Sequence, residues 1–170
     1  MLVSCGQNAE KHYNEGRSWR EQDEPIAAMK SFIAATQSLS NNYAIKGRSY
    51  SNMGTMCRIC ERHDLAYAIY EKSAEEFHRA KDTTAYAYAL NNMAWELAVQ
   101  GQKEQAIILA DSACKVCPSN EVQNKTIETR AAACLYNAEY DSTIYYANII
   151  PIKSAYFDIL KAQAYIFKQQ

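Results

Sequence analysis

Four times along this chain a small residue is followed, at matching distances, by further small or apolar residues. The clearest copy, residues 83–118, shows it between Tyr86 and Pro118. Ala94 is followed by Leu97 three places on, Ala106 twelve on, Ala110 sixteen on, Ala113 nineteen on and Pro118 twenty-four on. Residues three and four apart share one face of a helix. Gly101 interrupts the run and Pro118 ends it, so the stretch predicts two helices joined by a tight turn. Small residues at these places let two antiparallel backbones cross closely, and Leu90, Met93 and Leu97 fill the seam. Residues 9–41 carry the same offsets as Gly16, Trp19, Ala28, Phe32 and Ala35. Residues 43–81 carry them as Gly54, Cys57, Ala66, Tyr70 and Ser73. Residues 120–150 hold a weaker copy: Ala131, Cys134, Thr143 and Ala147.

Composition agrees with a helical reading. With 5 Gly and 3 Pro in 170 residues, the chain lacks the frequent turns of an all-β fold. Pro25 suits a first helical position, where its missing N–H costs nothing. Asp64 and Asp141 read as N-caps of second helices, and Asp82 or Thr83 as the cap of the third pair. Residues 152–170 predict one last helix, with Ala155, Ile159, Ala162, Tyr165 and Ile166 on its apolar side and no partner helix. The steps from Gly16 to Gly54, Ala94 and Ala131 are 38, 40 and 37 residues. A net charge of −1 with both signs interspersed leaves no electrostatic footprint for nucleic acid.

These copies resemble tetratricopeptide repeats, over roughly residues 9 to 165. The resemblance implies an all-α, right-handed solenoid of about four helix pairs plus a terminal helix. The repeat of that family is about 34 residues. The longer steps here predict helices about one turn longer than usual. The implied function is a non-catalytic scaffold binding a protein or peptide segment, with no cofactor. Asn14, Asn52 and Asn92 each stand two residues before the small residue of their copy. In the family that place lies on the concave groove, where an Asn often bonds the backbone of an extended peptide. Arg17, Arg48, Thr55, Arg58, Asn91, Trp95 and Lys125 are expected on the same groove or its rim. Such a set suits a segment with acidic groups or a free carboxylate. The full Lys/Asn clamp of chaperone-binding members is not reproduced.

Six cysteines, with the pairs Cys57/Cys60 and Cys114/Cys117, invite a zinc or thiol-redox reading. The repeats place these pairs at opposite ends of the helices, out of reach of one tetrahedral site. Cys57 and Cys134 also occupy the +3 packing place of Trp19 and Leu97. Buried thiols commonly act as small hydrophobes. His12, His63 and His78 show no metal-ligand spacing, and no phosphate loop or catalytic elbow is present. A thiol or metal-handling protein and a homo-oligomerisation module remain as alternatives to the scaffold.

Leu2-Val3-Ser4-Cys5 resembles a bacterial lipobox, which would make Cys5 a lipidation site and residues 1–8 the remnant of a signal and linker. The basic and apolar regions that precede a lipobox are not among residues 1–170, so either the signal is cut short at Met1 or the match is chance. With a lipid anchor the protein would belong to the bacterial cell envelope; otherwise it would be cytoplasmic. The Tyr-rich repeats, the near-forty spacing and the lipobox together resemble repeat lipoproteins or sensor regions of Bacteroides-type bacteria.

Overall fold

The computed structural model describes the backbone of residues 2–39, 41–149 and 155–169, and side chains of 8–39, 41–149 and 157–169. Among the described residues there are nine helices and no strand. They are α1 (Leu2–Glu21), α2 (Pro25–Gln37), α3 (Tyr43–Ile59), α4 (His63–Arg79), α5 (Thr83–Val99), α6 (Lys103–Val116), α7 (Asn120–Tyr136), α8 (Tyr140–Ile149) and α9 (Ala155–Lys168). They make four antiparallel pairs and a terminal helix, as the spacing predicts. α3, α4, α5 and α7 are 17 residues long, against about 11–12 for an average helix. α1 begins at Leu2, ahead of the first repeat residue expected at 9. The chain divides into two compact units, Met1–Ala89 and Leu90–Gln170.

The recurrent offsets have one structural cause each. The +3 residue supplies the carbonyl that closes the turn between the helices of a pair. The amides of Glu24, Arg62, Gln102 and Glu139 reach back to the carbonyls of Trp19, Cys57, Leu97 and Cys134, each at 2.9 Å. This is the helix-ending bond that needs a left-handed residue just before the donor. Asp23, Glu61, Gly101 and Ala138 fill that place with φ of 60°, 56°, 76° and 59°. Only one of the four is glycine. The +12 residues, Ala28, Ala66, Ala106 and Thr143, donate the first bonds of the second helices, back to Glu24, Arg62, Gln102 and Glu139. All four are fully buried.

The first unit packs glycines against rings. A Cβ on Gly16 would stand 2.7 Å from the Phe32 ring, and one on Gly54 2.7 Å from the Tyr70 ring. Real Cβ atoms do not approach so closely, so the +16 ring and the small residue select each other. Gly47 repeats the device one pair of turns away, 2.8 Å from Phe77. Ser73 donates to the Gly47 carbonyl at 2.8 Å in the same buried seam. Ala28 and Phe32 of α2 then meet Met53 and Met56 of α3, flanked by Tyr13, Met29, Tyr50 and Ile69.

The second unit packs alanines. Ala98, Ala106, Ala132 and Ala133 form one cluster, with Trp95 and Leu97 against it. The Thr126 hydroxyl donates to the Ala110 carbonyl at 3.2 Å and receives the Cys114 thiol at 3.0 Å. Arg130 of α7 pairs with Asp111 of α6. α9 lies on α7 and α8.

Three local expectations are corrected. The buried stripe of α9 is Phe157, Leu160 and Ala164, packed with Ala131 and Leu135, whereas Ile159, Ala162, Tyr165 and Ile166 are exposed. Ala155 lies outside the described side chains. α9 is apolar nearly all round, so several stripes satisfy helical periodicity and the surface of α7 and α8 chooses among them. α9 has no antiparallel partner of its own and lies on the last helix pair. Asp64 and Asp141 are not N-caps: α4 starts at His63 and α8 at Tyr140, which puts both in the first turn. There the carboxylates face the exposed amides of the helix start. The Leu65 amide and then Arg62 hold the Asp64 carboxyl below its ordinary pKa. Asp82 does cap α5, accepting from the Ala85 amide at 3.0 Å.

Candidate functional site

The ten residues expected on a groove fall into the two units, and each set is described within its own. In the first unit α1 and α3, the first helices of neighbouring pairs, lie against each other. Asn14 and Arg17 are exposed on α1, and Arg48 is exposed on α3. The spacing of 14 to 17 and of 48, 52 and 55 keeps each set on one helix stripe. Arg17 lies 3.7 Å from Glu21, a solvent-exposed pair one turn away on its own helix. Such a pair contributes at most about 1 kcal/mol, so an incoming carboxylate can compete for the guanidinium.

Asn52 is not a free-standing rung of a ladder. Its side-chain carbonyl accepts from the Arg20 guanidinium of α1. Its side-chain amide donates to the Arg48 carbonyl at 2.8 Å. One amide thus ties two first helices together and fixes Arg20 on the face. Sequence reasoning missed Arg20. Its signal is its place one helical step beyond Arg17.

Thr55 and Arg58 are organised by a core ring. Tyr70 is fully buried, yet its hydroxyl stands 3.0 Å from Thr55 Oγ1. The Arg58 guanidinium lies 5.0 Å from the centroid of the same ring. Both residues therefore hold the ring that Gly54 admits, and both are half-buried.

In the second unit Asn91 is 6% exposed and accepts from the Thr129 hydroxyl of α7 at 3.1 Å. It lies in the helix seam and not on an accessible face, which corrects its placement on the groove. Asn92 is half-buried, and Trp95 is half-buried against the alanine cluster. Lys125 is exposed and paired with Glu128 at 2.7 Å. Glu96, unremarked in the sequence, is fully buried.

Two further charged ties of this unit join residues far apart in sequence. Lys103 and Glu139 form an ion pair, and the hydrogen bond raises the lysine pKa. Burial opposes the charge on Arg130, but its bonds to Asp111 and Tyr146 outweigh that and raise its pKa.

The cysteines occupy packing and cap positions. Cys57 and Cys134 are buried, Cys114 and Cys117 half-buried, and Cys60 exposed. Cys60 and Cys117 are the C-cap residues of α3 and α6. Burial, and then the nearby Glu139 carboxylate, push the Cys134 thiol up in pKa. That keeps it protonated and unreactive. Among the described residues no group of three or more His, Cys, Asp or Glu side chains could hold a metal ion. Cys5 lies outside the described side chains. No described helix is long and apolar enough to cross a membrane.

Beside the α1–α3 face a cleft of about 620 Å³ opens at the turn between α1 and α2. Its walls come from the start of α2 and the last turn of α3.

No curated protein and no solved structure matches the chain. Residues 46–119, which run through α3, α4, α5 and α6, match the family model of the tetratricopeptide repeat, whose members generally mediate protein–protein interaction. With the helix pairs, the closing turns and the small-to-large crossings, this match makes the fold a tetratricopeptide-like, all-α helical-repeat fold.

Proposed function

We propose that the protein is a non-catalytic scaffold whose first unit binds an extended peptide segment bearing acidic groups. The observation that carries this reading is the α1–α3 face. Arg17 and Arg48 are exposed there, and Asn52 holds Arg20 beside them. Asn14 adds an exposed amide on the same helix as Arg17. Guanidinium groups recognise carboxylates through paired N–H donors, and amides can match a peptide backbone.

The test is titration of a fluorescein-labelled, glutamate-rich peptide into the wild-type chain and into the double variant Arg17→Glu/Arg48→Glu, followed by anisotropy. Both positions are exposed, so the melting temperature should hold. Binding is expected to weaken at least tenfold and to lose most of its salt dependence. Equal affinity for wild type and variant would sink the reading.

A tethered scaffold at the cell envelope, serving as the interaction region of a regulator, extends the same proposal. It is supported by the Leu2–Cys5 tetrapeptide. With a basic and an apolar signal region fused ahead of Leu2, incorporation of an alkyne-tagged fatty acid in a bacterial host, abolished by Cys5→Ser, is the expected result. Labelling of neither form would remove the anchor and leave the peptide face standing.

A further inference from the structure

The cleft at the α1–α2 turn has a chemistry that the fold leaves unexplained. Ile26 and Ile59 are 72% and 76% exposed, yet they line the same cleft, with Met29 and Met56 beside them. Ile26 is exposed because Pro25 sets the first turn of α2 and the buried stripe of that helix is Ala28, Phe32 and Ala35. Ile59 is exposed because α3 ends there, one residue before its cap. Two large apolar side chains in water across one concavity are an unfilled contact surface. A volume of about 620 Å³ is in the range of ligand-holding pockets. Thioether side chains adapt to varied partner shapes.

The rim is charged, and mostly of one sign. Arg20, Lys30 and Arg62 line the cleft against the single carboxylate of Asp23. Arg62 is shared with Asp64 at 3.5 Å. Arg20 bonds a neutral amide, and neither it nor Lys30 joins an ion pair among the described residues. An apolar floor under uncompensated cations complements one kind of partner: a bulky apolar side chain flanked by carboxylates. Arg20 also belongs to the α1–α3 face, so the cleft continues the surface proposed above to bind acidic peptide.

We infer that this cleft is an anchor pocket, which takes a single leucine- or phenylalanine-sized side chain of the acidic segment. The inference rests on the peptide-binding reading and gives it specificity. Charge on the face sets attraction and orientation; the pocket reads which residue sits between the charges. The left-handed turn at Asp23 and the proline after it hold the wall in place before the partner arrives. Little ordering cost then falls on binding.

The experiment compares two labelled Glu/Ser peptides that differ only in one central residue, Leu or Ala. Removing one apolar side chain from water predicts that the Leu peptide binds about tenfold to a hundredfold tighter. Ile26→Ser/Ile59→Ser should erase that preference. It should leave the affinity for the Ala peptide, its salt dependence and the melting temperature unchanged, because both positions are exposed. Equal binding of the two peptides by the wild type overturns the pocket while the charged face stands. Binding of neither peptide overturns both. Self-association in sedimentation runs, abolished by the double serine variant, would assign the cleft to a second copy and overturn the peptide anchor.

Discussion

The two units solve one packing problem with different volumes. Where helices of a pair cross in Met1–Ala89, a glycine lies under a ring: Gly16 under Phe32 and Gly54 under Tyr70. At the equivalent places of Leu90–Gln170 the pairs are Ala94 with Ala110 and Ala131 with Ala147, the last packed into the cluster that contains Ala131. The two schemes fill different volumes: a ring needs a glycine beneath it, whereas two alanines fit without one, since interiors are close-packed and tolerate neither overlap nor void. The ties between helices differ as well. In the first unit, first helices are joined by Arg20 and Asn52 at an exposed surface. In the second, α5 and α7 are joined by Asn91 and Thr129 out of water. What the repeats share, on this comparison, is a mutual fit at the crossing and a closing turn, and single residue types are secondary.

The largest effects should come from trading one volume scheme for the other. Tyr70→Ala is expected to cost about 3–5 kcal/mol by emptying a fully buried ring site. Gly54→Ala is expected to cost about 1–3 kcal/mol by overpacking against that ring. The double variant rebuilds the alanine pair of the second unit and should cost at least about 1 kcal/mol less than the sum. Urea unfolding of the four forms measures this, and strict additivity would break the idea that glycine and ring select each other.

A smaller effect separates the two interhelical ties. Thr129→Val strands the buried Asn91 carbonyl and should destabilise by about 1–3 kcal/mol. Asn52→Ala, at an exposed contact, should stay below about 1 kcal/mol. Similar losses in both would show that burial does not distinguish them.

The smallest effect concerns the turns. Ala138 has φ of 59° where Gly101 has 76°. A side chain in the left-handed region costs roughly 1–2 kcal/mol, partly offset by the greater freedom of glycine in the unfolded chain. Ala138→Gly is therefore expected to raise stability by about 0.5–1 kcal/mol, and Gly101→Ala to lower it by a similar amount. A drop in melting temperature for Ala138→Gly would contradict the account of the closing turn.

Much of the fold was legible because it is written in local spacing. The +3, +12 and +16 residues each answer to one turn or one crossing, so their identities recur at fixed separations. The candidate site was less legible. Asn91 and Asn92 are neighbours on α5, and no pattern within that helix says which meets Thr129 from α7, thirty-eight residues on. The role of Asn52 depended on Arg20, which is thirty-two residues away. For α9 the sequence offered too many apolar faces. Cys57 and Cys134 stand at +3 and are buried, whereas Trp19 at the same place is exposed, so the register fixed the closing carbonyl and the neighbouring helices decided the burial.

Helix content, pairing and the positions of turns were thus determined by sequence alone, because each follows from residues within about forty positions and from hard-sphere limits on close approach. Which polar side chains are tied, which stripe of α9 is covered, and that Ile26 and Ile59 share one cleft with Arg20 and Lys30 were decided only by the tertiary structure. Those facts depend on surfaces that separate helices bring together, and the energy of a contact resides in both partners at once.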